Sequence, residues 1–243
     1  MKIAVISDVH GNIWALEAVL KDIEQRKIVD IFDLGDSLYG PLEPKKTFEL
    51  FRSNNIKSIK GNEDNLILDS VSKENNNPTI NYVINQLDQE AFEWLKKIPN
   101  ERLLNDSIIM FHGTHSNNSE YLVEKLYSDH IGIKTQEELN TLLSEVNQQI
   151  VLCGHSHTPR LVELGDKTII NPGSVGLQAY DDNLPMFHKI ENHSSKARYC
   201  ILDLEDKIRI NHLAISYDFE KAARKAEQNN RRDWAQWIRT GRV

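Results

Sequence analysis

The feature that most constrains this chain is a short run of almost purely apolar residues that recurs and each time ends in polar residues. The first run covers residues 2–7 and leads into Asp8, and residues 13–23 then carry apolar side chains at helical spacing. Such runs are typical of strands that are buried on both faces of a sheet covered by helices. The opening therefore predicts a strand, a loop, a helix and a second strand, which indicates an α/β fold. The later runs are Ile31–Leu34, Ile56–Ile59, Ser107–Phe111 and Gln149–Cys153.

Beyond residue 160 the pattern changes to short alternating runs, which predict a second, more antiparallel sheet packed against the first. Its predicted strands are Arg160–Leu164, Thr168–Asn171, Ala197–Asp203 and Lys207–Ile215. Further helices are predicted over Pro44–Asn54, over Glu90–Lys97 and in the tail from Asp218 to Trp237. The polar stretch Lys73–Pro78 predicts an exposed linker. We expect one domain over residues 1–243, with the terminal helices docked on its body.

Composition narrows the classes of partner. The net charge of −7 argues against the broad positive surface that binds nucleic-acid polymers, and a small anionic substrate would need local positive charge. The start of the chain has about five apolar residues before Asp8, too few for a signal-peptide core or a membrane span, which predicts a cytoplasmic protein without a membrane partner. Cys153 and Cys200 form no CxxC pair, so we expect reduced core cysteines and neither a disulfide framework nor a thiolate metal site.

Polar clusters follow the predicted strands, and their order carries more information than any one of them. Each cluster alone is explained as well by turn caps or by core histidines with satisfied hydrogen bonds. Together they place oxygen and nitrogen donors at one sheet edge, where loops converge. Donors of this kind suit Mn²⁺, Fe²⁺ or Zn²⁺, and seven of them exceed one tetrahedral site, which predicts two ions bridged by Asp36. The seven donors are Asp8, His10, Asp36, Asn62, His112, His155 and His157.

The same clusters resemble the signature blocks of the calcineurin-like metallophosphoesterase family, which read D-x-H, G-D, G-N-H-[DE], H-G and G-H-x-H in this order. Tyr39–Pro41 and Asn171–Gly176 look like the small bacterial and archaeal branch of phosphodiesterases related to YfcE. The resemblance implies a four-layer αββα sandwich with two packed mixed sheets flanked by helices. It also implies manganese ions, with iron or zinc as alternatives, and a bridging water or hydroxide that attacks phosphorus. The implied ligand sets are Asp8, His10, Asp36 and His157 for one ion and Asp36, Asn62, His112 and His155 for the other.

One block departs from the family pattern, because Glu63 stands where the family has histidine. We take Asp36, Asn62, Glu63 and Asp64 as candidate catalytic residues. Glu63 could donate a proton only if its pKa were raised by burial or by negative charge, and the metals oppose that. The alternative is a solvent-facing carboxylate at a helix start. Loss of a strong acid favours good leaving groups, such as those of aryl phosphodiesters and nucleotide anhydrides.

Two residues near these blocks are candidates for contact with substrate. Asn12 could bind phosphate at a helix start or act as a helix N-cap, and His115 could face substrate or be an ordinary loop histidine. The stretch Asp181–Lys189 reads as an insertion that could rim the site or form an inert hairpin. Trp234 and Trp237 favour packing in the core or in a homodimer over a platform for a nucleobase.

These observations favour a metal-dependent phosphodiesterase that acts on small phosphorylated molecules, including nucleotide derivatives. A dinucleoside polyphosphate hydrolase or a monoester phosphatase would use the same centre with a different pocket. A third hypothesis belongs to another class: a metallophosphoesterase-like subunit of the retromer complex serves as a protein-binding scaffold, so a fold of this kind does not guarantee catalysis.

Overall fold

The computed structural model describes residues 1–71, 73, 75–205 and 208–243. Their strands are β1 (Lys2–Ile6), β2 (Asp30–Asp33), β3 (Lys57–Ser58), β4 (Glu101–Asn105), β5 (Ile108–Phe111), β6 (Glu124–Leu126), β7 (Ile131–Ile133), β8 (Ile150–Leu152), β9 (Arg160–Leu164), β10 (Lys167–Asn171), β11 (Ala179–Asp182), β12 (His188–Glu191), β13 (Ala197–Asp203) and β14 (Arg209–Ile215). The helices are α1 (Ile13–Gln25), α2 (Pro44–Ser53), α3 (Asn62–Ser70), α4 (Pro78–Gln86), α5 (Gln89–Lys97), α6 (Gln136–Leu142), α7 (Phe219–Gln228) and α8 (Arg232–Thr240).

Two five-stranded mixed sheets form the body of the protein, in the orders β14-β13-β1-β2-β3 and β4-β5-β8-β10-β9. Their inner faces pack together through one apolar cluster, to which Val5 contributes from the first sheet and Met110 and Leu152 from the second. The outer face of the first sheet packs against α1, and Leu139 of α6 joins Val151 in the cluster on the outer face of the second. The predicted four-layer αββα sandwich is therefore confirmed.

Strand β1 shows why its sequence is almost continuously apolar. Ile3 and Val5 point between the two sheets, whereas Ala4 and Ile6 point toward α1, so both faces of the strand are buried. The strand pairs in parallel with β2 and antiparallel with β13. Its carboxyl end, like those of β2, β5 and β8, leads into one of the polar clusters, and this arrangement positions the site.

The predicted division of the strands between the two sheets was wrong. We expected the strands after residue 160 to form the second sheet, but β13 and β14 complete the first, with Cys200 paired to Val5 of β1. Conversely, β5 and β8 belong to the second sheet and pair with each other in parallel. Alternation of apolar residues reports which face of a strand is buried and says nothing about its pairing partner. Lys207 of the predicted last strand and Glu74 of the predicted linker lie outside the described residues.

The tail forms α7 and α8, which pack against each other and on the body as predicted. Trp234 and Trp237 are buried in the same apolar cluster as Leu38 and Phe48, which agrees with core packing. Cys153 and Cys200 are buried free thiols, as expected. Among the described residues, none of the helices combines the length and the apolar character that a bilayer span requires.

Candidate metal centre

Loops that follow β1, β2, β5 and β8 gather six of the seven predicted donors into two neighbouring groups. Within each group, candidate ligand atoms lie within 4.8 Å of one another. The groups adjoin, because Oδ1 of Asp8 lies 3.4 Å from Nε2 of His157 and 3.9 Å from Nε2 of His112. The seventh donor, Asn62, begins α3 and lines the cavity that these groups face. The first group is Asp8, His10 and His157, and the second is Asp36, His112 and His155.

Three of the histidine rings are oriented by main-chain carbonyls. Each donates a hydrogen bond from Nδ1, which leaves the lone pair of Nε2 directed at the other donors. Histidines that bind metals are commonly fixed in this way, because the hydrogen bond from one ring nitrogen holds the ring in a single tautomer and orientation. The accepting carbonyls belong to Tyr39, 3.0 Å from His10, to Leu34, 2.7 Å from His112, and to Leu177, 2.7 Å from His157.

Several buried polar atoms at this point have no hydrogen-bond partner in the part of the chain that the structure describes. They are Oδ1 of Asp8, Oδ1 of Asn62, Oε2 of Glu63 and Nε2 of His112. Unpaired buried polar atoms are costly, and four of them on the proposed ligands and their neighbour Glu63 call for a ligand. Carboxylate, amide and imidazole donors of this kind fit divalent cations.

The backbone is strained at the same positions. Among the described residues, nine other than glycine have a positive φ, and five of these are proposed ligands. The left-handed region costs an L-residue roughly 1–2 kcal/mol, so such a concentration needs a compensating function. The five proposed ligands are Asp8 (φ 53°), His10 (52°), Asp36 (54°), His155 (68°) and His157 (54°).

Asp36 is held by the loop that precedes α3. Its Oδ1 accepts a hydrogen bond from the backbone N–H of Glu63 at 2.8 Å. The carboxylate of Asp64 accepts from the backbone N–H groups of Asp36 at 2.8 Å and of Gly61 at 3.0 Å, and so joins the two loops. A side chain on Gly61 would overlap the carboxylate of Asp36, which explains the glycine. The structure thus places Asp64 behind the site, where it positions Asp36.

The loop Asn171–Gly176 supports the end of β1. The hydroxyl of Ser174 donates to the backbone carbonyl of Asp8 at 2.8 Å, and the N–H of Gly176 donates to the same carbonyl at 3.0 Å. The N–H of Val175 donates to the carbonyl of Ser7 at 2.9 Å. This loop therefore fixes the unusual backbone of Asp8.

The charges in the site balance one another. Burial alone would raise the pKa of Asp8, but neighbouring histidines lower it, and the pKa of Asp36 is lowered in the same way. Burial alone would lower the pKa of His112, but Asp36 and Asp8 raise it to about 10. The pKa of His155 is lowered to about 4 by burial and by the charge of His112. Without cations, protons on some histidines thus offset the carboxylates.

Residues 1–207 match the calcineurin-like phosphoesterase superfamily domain. The chain belongs to this superfamily. It is 31% identical over 254 residues to the protein MJ0912 of Methanocaldococcus jannaschii, a match that covers 96% of this chain and 94% of that one.

Solved structures share the fold of this calcineurin-like chain, and two of them illustrate it. A metallophosphoesterase from Sphaerobacter thermophilus superimposes with a TM-score of 0.78 at 22% identity and covers 99% of each chain. The protein PH1004 from Pyrococcus horikoshii OT3 superimposes with a TM-score of 0.75 at 19% identity, covering 99% of this chain and 98% of that one. The family and the fold expected from the sequence are therefore confirmed.

Glu63, which replaces the histidine of the superfamily block, faces the cavity. Its side chain is 23% exposed, and its Oε2 lies 3.2 Å from Nδ1 of His10. Because that Nδ1 donates to the carbonyl of Tyr39, Oε2 of Glu63 keeps no hydrogen bond. Burial raises the pKa of Glu63 to about 7 against the opposing charge of His10. The residue does lie in the first turn of a helix, as one alternative held, but its carboxylate lies beside His10 in the candidate metal centre.

The two candidate substrate contacts take other positions. The side chain of Asn12 is buried: its oxygen caps α1 by accepting from the N–H of Ala15 at 3.2 Å, and its amide donates to the carbonyl of Gly176 at 2.8 Å. Asn12 is therefore the N-cap of α1, which was the second of its two predicted roles. His115 lies 2.8 Å from the carboxylate of Glu101 and lines a separate cavity beside the β5 end.

Three residues near the candidate metal centre lie beyond the signature blocks. The rings of Trp234 and His10 are nearly perpendicular, with centroids 5.8 Å apart, and Arg231 lies over the ring of Trp234 at 5.4 Å. The hydroxyl of Tyr180 donates to the carbonyl of His155 at 3.2 Å. Arg231 and Tyr180 were not singled out from the sequence, whereas the periodicity of the tail predicted that Trp234 packs without saying what it covers.

Proposed function

We propose that this protein is a phosphodiesterase for small molecules. We further propose that its seven predicted donors hold two divalent cations, for which manganese is our first choice. The observation that carries this proposal is the position of Asp36. It forms a compact group with His112 and His155 on one side and with His10 and Glu63 on the other. A carboxylate between two sets of donors is what a bridged pair of cations requires.

Two such cations, when bound, polarise phosphoryl oxygens and lower the pKa of a water molecule. The chain supplies the rigidity that this chemistry needs. The main-chain carbonyls fix the histidine rings, Asp64 fixes the loop of Asp36, and the Ser174 loop fixes Asp8. A preorganised set of groups loses no free energy to reorganisation as charge develops on the phosphoryl group.

Glu63 is the group of this chain best placed to move a proton. Burial raises its pKa to about 7 in the metal-free protein, and bound cations oppose this rise, so the acid role requires that burial prevails. Among the described residues Oε2 has no hydrogen-bond partner, and Glu63 lines the cavity. We infer that it protonates the departing oxygen of the substrate, in the place of the histidine that the family uses.

The charges of the cavity favour a diester. The cavity measures about 270 Å³, which suits a small substrate. Among the described residues, Arg231 is the Lys or Arg side chain on its wall, and it pairs with Asp233 at 2.6 Å. Two bound cations would attract any phosphate, so discrimination falls to the acidic groups outside the ligand set, which are Asp181, Asp182 and Asp233. A diester carries one negative charge and a monoester up to two, so these groups repel the monoester and the polyphosphate more strongly.

The test compares a bis-aryl phosphate, an aryl monophosphate and a dinucleoside tetraphosphate with the manganese-loaded protein. We expect kcat/KM for the bis-aryl phosphate to exceed that for the other two by at least tenfold. Asp36→Asn should reduce turnover of the diester by about 10³-fold while the protein stays folded. If the protein prefers the monophosphate or the dinucleoside tetraphosphate, the assignment changes to a monoester phosphatase or a dinucleoside polyphosphate hydrolase. If it hydrolyses none of the three substrates, a protein-binding scaffold is favoured over an enzyme.

A further inference from the structure

A second groove leaves the metal centre in another direction. It shares Asn62, His155 and Asp182 with the cavity described above, so the two spaces meet at proposed metal ligands. The groove measures about 660 Å³, compared with about 270 Å³ for the cavity. Its walls are more apolar than those of the cavity, and their apolar members are Tyr121, Leu126, Leu184, Pro185 and Met186.

One wall of the groove is the tip of the β11–β12 hairpin, which exposes large apolar side chains. Leu184 is 75% exposed, Met186 41% and Phe187 61%. Three such residues within four positions form a local apolar patch on an otherwise acidic, strongly polar chain. Clustered exposed apolar groups mark binding surfaces, whereas isolated ones are ordinary.

The hairpin is tied to the metal centre by a chain of hydrogen bonds. Met186 at the tip accepts through its carbonyl from Nδ1 of His188 at 2.8 Å. Nε2 of His188 accepts from the hydroxyl of Tyr121 at 2.7 Å, and the oxygen of Tyr121 also contacts the hydroxyl of Tyr180. Tyr180 donates in turn to the carbonyl of His155. The apolar wall therefore has a fixed position relative to a proposed ligand.

We propose that the groove receives one ester arm of the substrate, an apolar group of aryl size, while the other arm occupies the cavity beside Arg231 and Trp234. This inference rests on the proposed function and specifies its substrate class. A phosphodiester has two substituents that leave phosphorus in different directions, and the site offers two spaces that diverge from the metal centre. An aryl-sized arm gains by displacing water from Leu184 and Met186, whereas a methyl arm reaches neither.

The test uses two diesters with the same p-nitrophenolate leaving group, one with a phenyl and one with a methyl group as the second arm. The measured quantity is the ratio of kcat/KM for the phenyl diester to that for the methyl diester. In Leu184→Ser/Met186→Ser we expect this ratio to fall about tenfold, mainly through KM of the phenyl diester. Both side chains are exposed, so the double variant should fold. Leu103→Ser on β4, where the replaced leucine is 60% exposed, should keep the original ratio.

The outcomes separate the two levels of the proposal. An unchanged ratio in the double variant, with both diesters hydrolysed, overturns the assignment of the groove and leaves the phosphodiesterase intact. Hydrolysis of neither diester by the manganese-loaded wild-type protein overturns the proposed function and this inference with it. An unchanged ratio together with conversion of a dimer to a monomer, measured by sedimentation, assigns the hairpin tip to a second copy of the chain.

Discussion

The Nε2 atoms of His10 and His157 lie 3.0 Å apart, although each ring already donates its Nδ1 proton to a main-chain carbonyl. With both tautomers fixed in this way, two lone pairs face each other beside Oδ1 of Asp8, which is 3.4 Å from the His157 nitrogen. A proton or a cation has to occupy that space to offset the repulsion. A divalent cation held by His10, His157 and Asp8 would remove this repulsion.

Removing one of these two rings should therefore empty one of two sites. His157→Ala is expected to reduce bound manganese from two ions to one per chain in calorimetric titration and to lower kcat by about 10³-fold. His130→Ala is the matched control, because that side chain is 60% exposed and stacks on Tyr127 away from the centre. Two ions bound by His157→Ala would remove this ring from the ligand set.

Gly61→Ala should damage the centre without removing any ligand. The new Cβ would overlap the carboxylate of Asp36 and displace it, and a displacement of about 1 Å in a catalytic group costs about 100-fold in rate. We expect a loss of that size in kcat together with weaker manganese binding. Gly165→Ala, where a Cβ meets nothing within 4 Å, should lower stability slightly through its φ of +62° and leave kcat unchanged. Full activity in Gly61→Ala would show that Asp36 is dispensable or mobile.

Glu63→Gln should discriminate between leaving groups. If Glu63 supplies the proton, a diester with an alkyl leaving group should lose about 100-fold in kcat, whereas p-nitrophenolate, which needs no proton, should leave at nearly the original rate. For the alkyl substrate, activity of the wild-type protein should decline as the pH rises through the pKa of Glu63, which burial raises to about 7 in the metal-free protein and which bound cations lower. Glu63→His should accelerate the alkyl substrate. Equal losses for both leaving groups in Glu63→Gln would assign Glu63 a positioning role.

The metal-free protein should become less stable at alkaline pH. Burial opposes protonation of His10 and His112, but neighbouring carboxylates prevail and raise the pKa of His10 to about 9 and of His112 to about 10. A raised pKa in the folded state stabilises the fold fully below the ordinary value of 6.5, and this contribution is lost as the pH rises through 9 and 10.

Urea denaturation of chelator-treated protein between pH 6 and 10 measures this loss. Manganese affinity should rise over the same range, because the ion displaces protons from both rings. A free energy of unfolding that is constant or increasing across this range would contradict the assignment of charge in the site.

Much of the centre could be named from the sequence because each donor follows a strand end, and the strands of an α/β sheet bring such ends together. The main-chain carbonyls that orient the histidine rings could not be predicted, since a main-chain acceptor can belong to any residue type. They are those of Leu34, Tyr39 and Leu177. The orientation of Glu63 could not be predicted either, because it depends on the loop geometry at Gly61.

The elements of the fold could be predicted from the sequence, but the pairing of its strands could not. The apolar runs revealed the buried strands and the covering helices, but the pairing of β13 with β1 is a contact between residues about 200 positions apart, which local patterns do not encode. The stretch Asp181–Lys189, predicted as an insertion that could form a hairpin, lies in the hairpin β11–β12, whereas its link to His155 through Tyr180 and Tyr121 depends on three separated segments.

The most direct test of the central claim is a crystal structure of the manganese-loaded protein with anomalous scattering recorded at the manganese edge. We predict two anomalous peaks about 3.5–4 Å apart, with the carboxylate of Asp36 between them. Asp8, His10 and His157 should surround one peak, and Asn62, His112 and His155 the other. A single peak, or none at these side chains, would contradict a dinuclear centre.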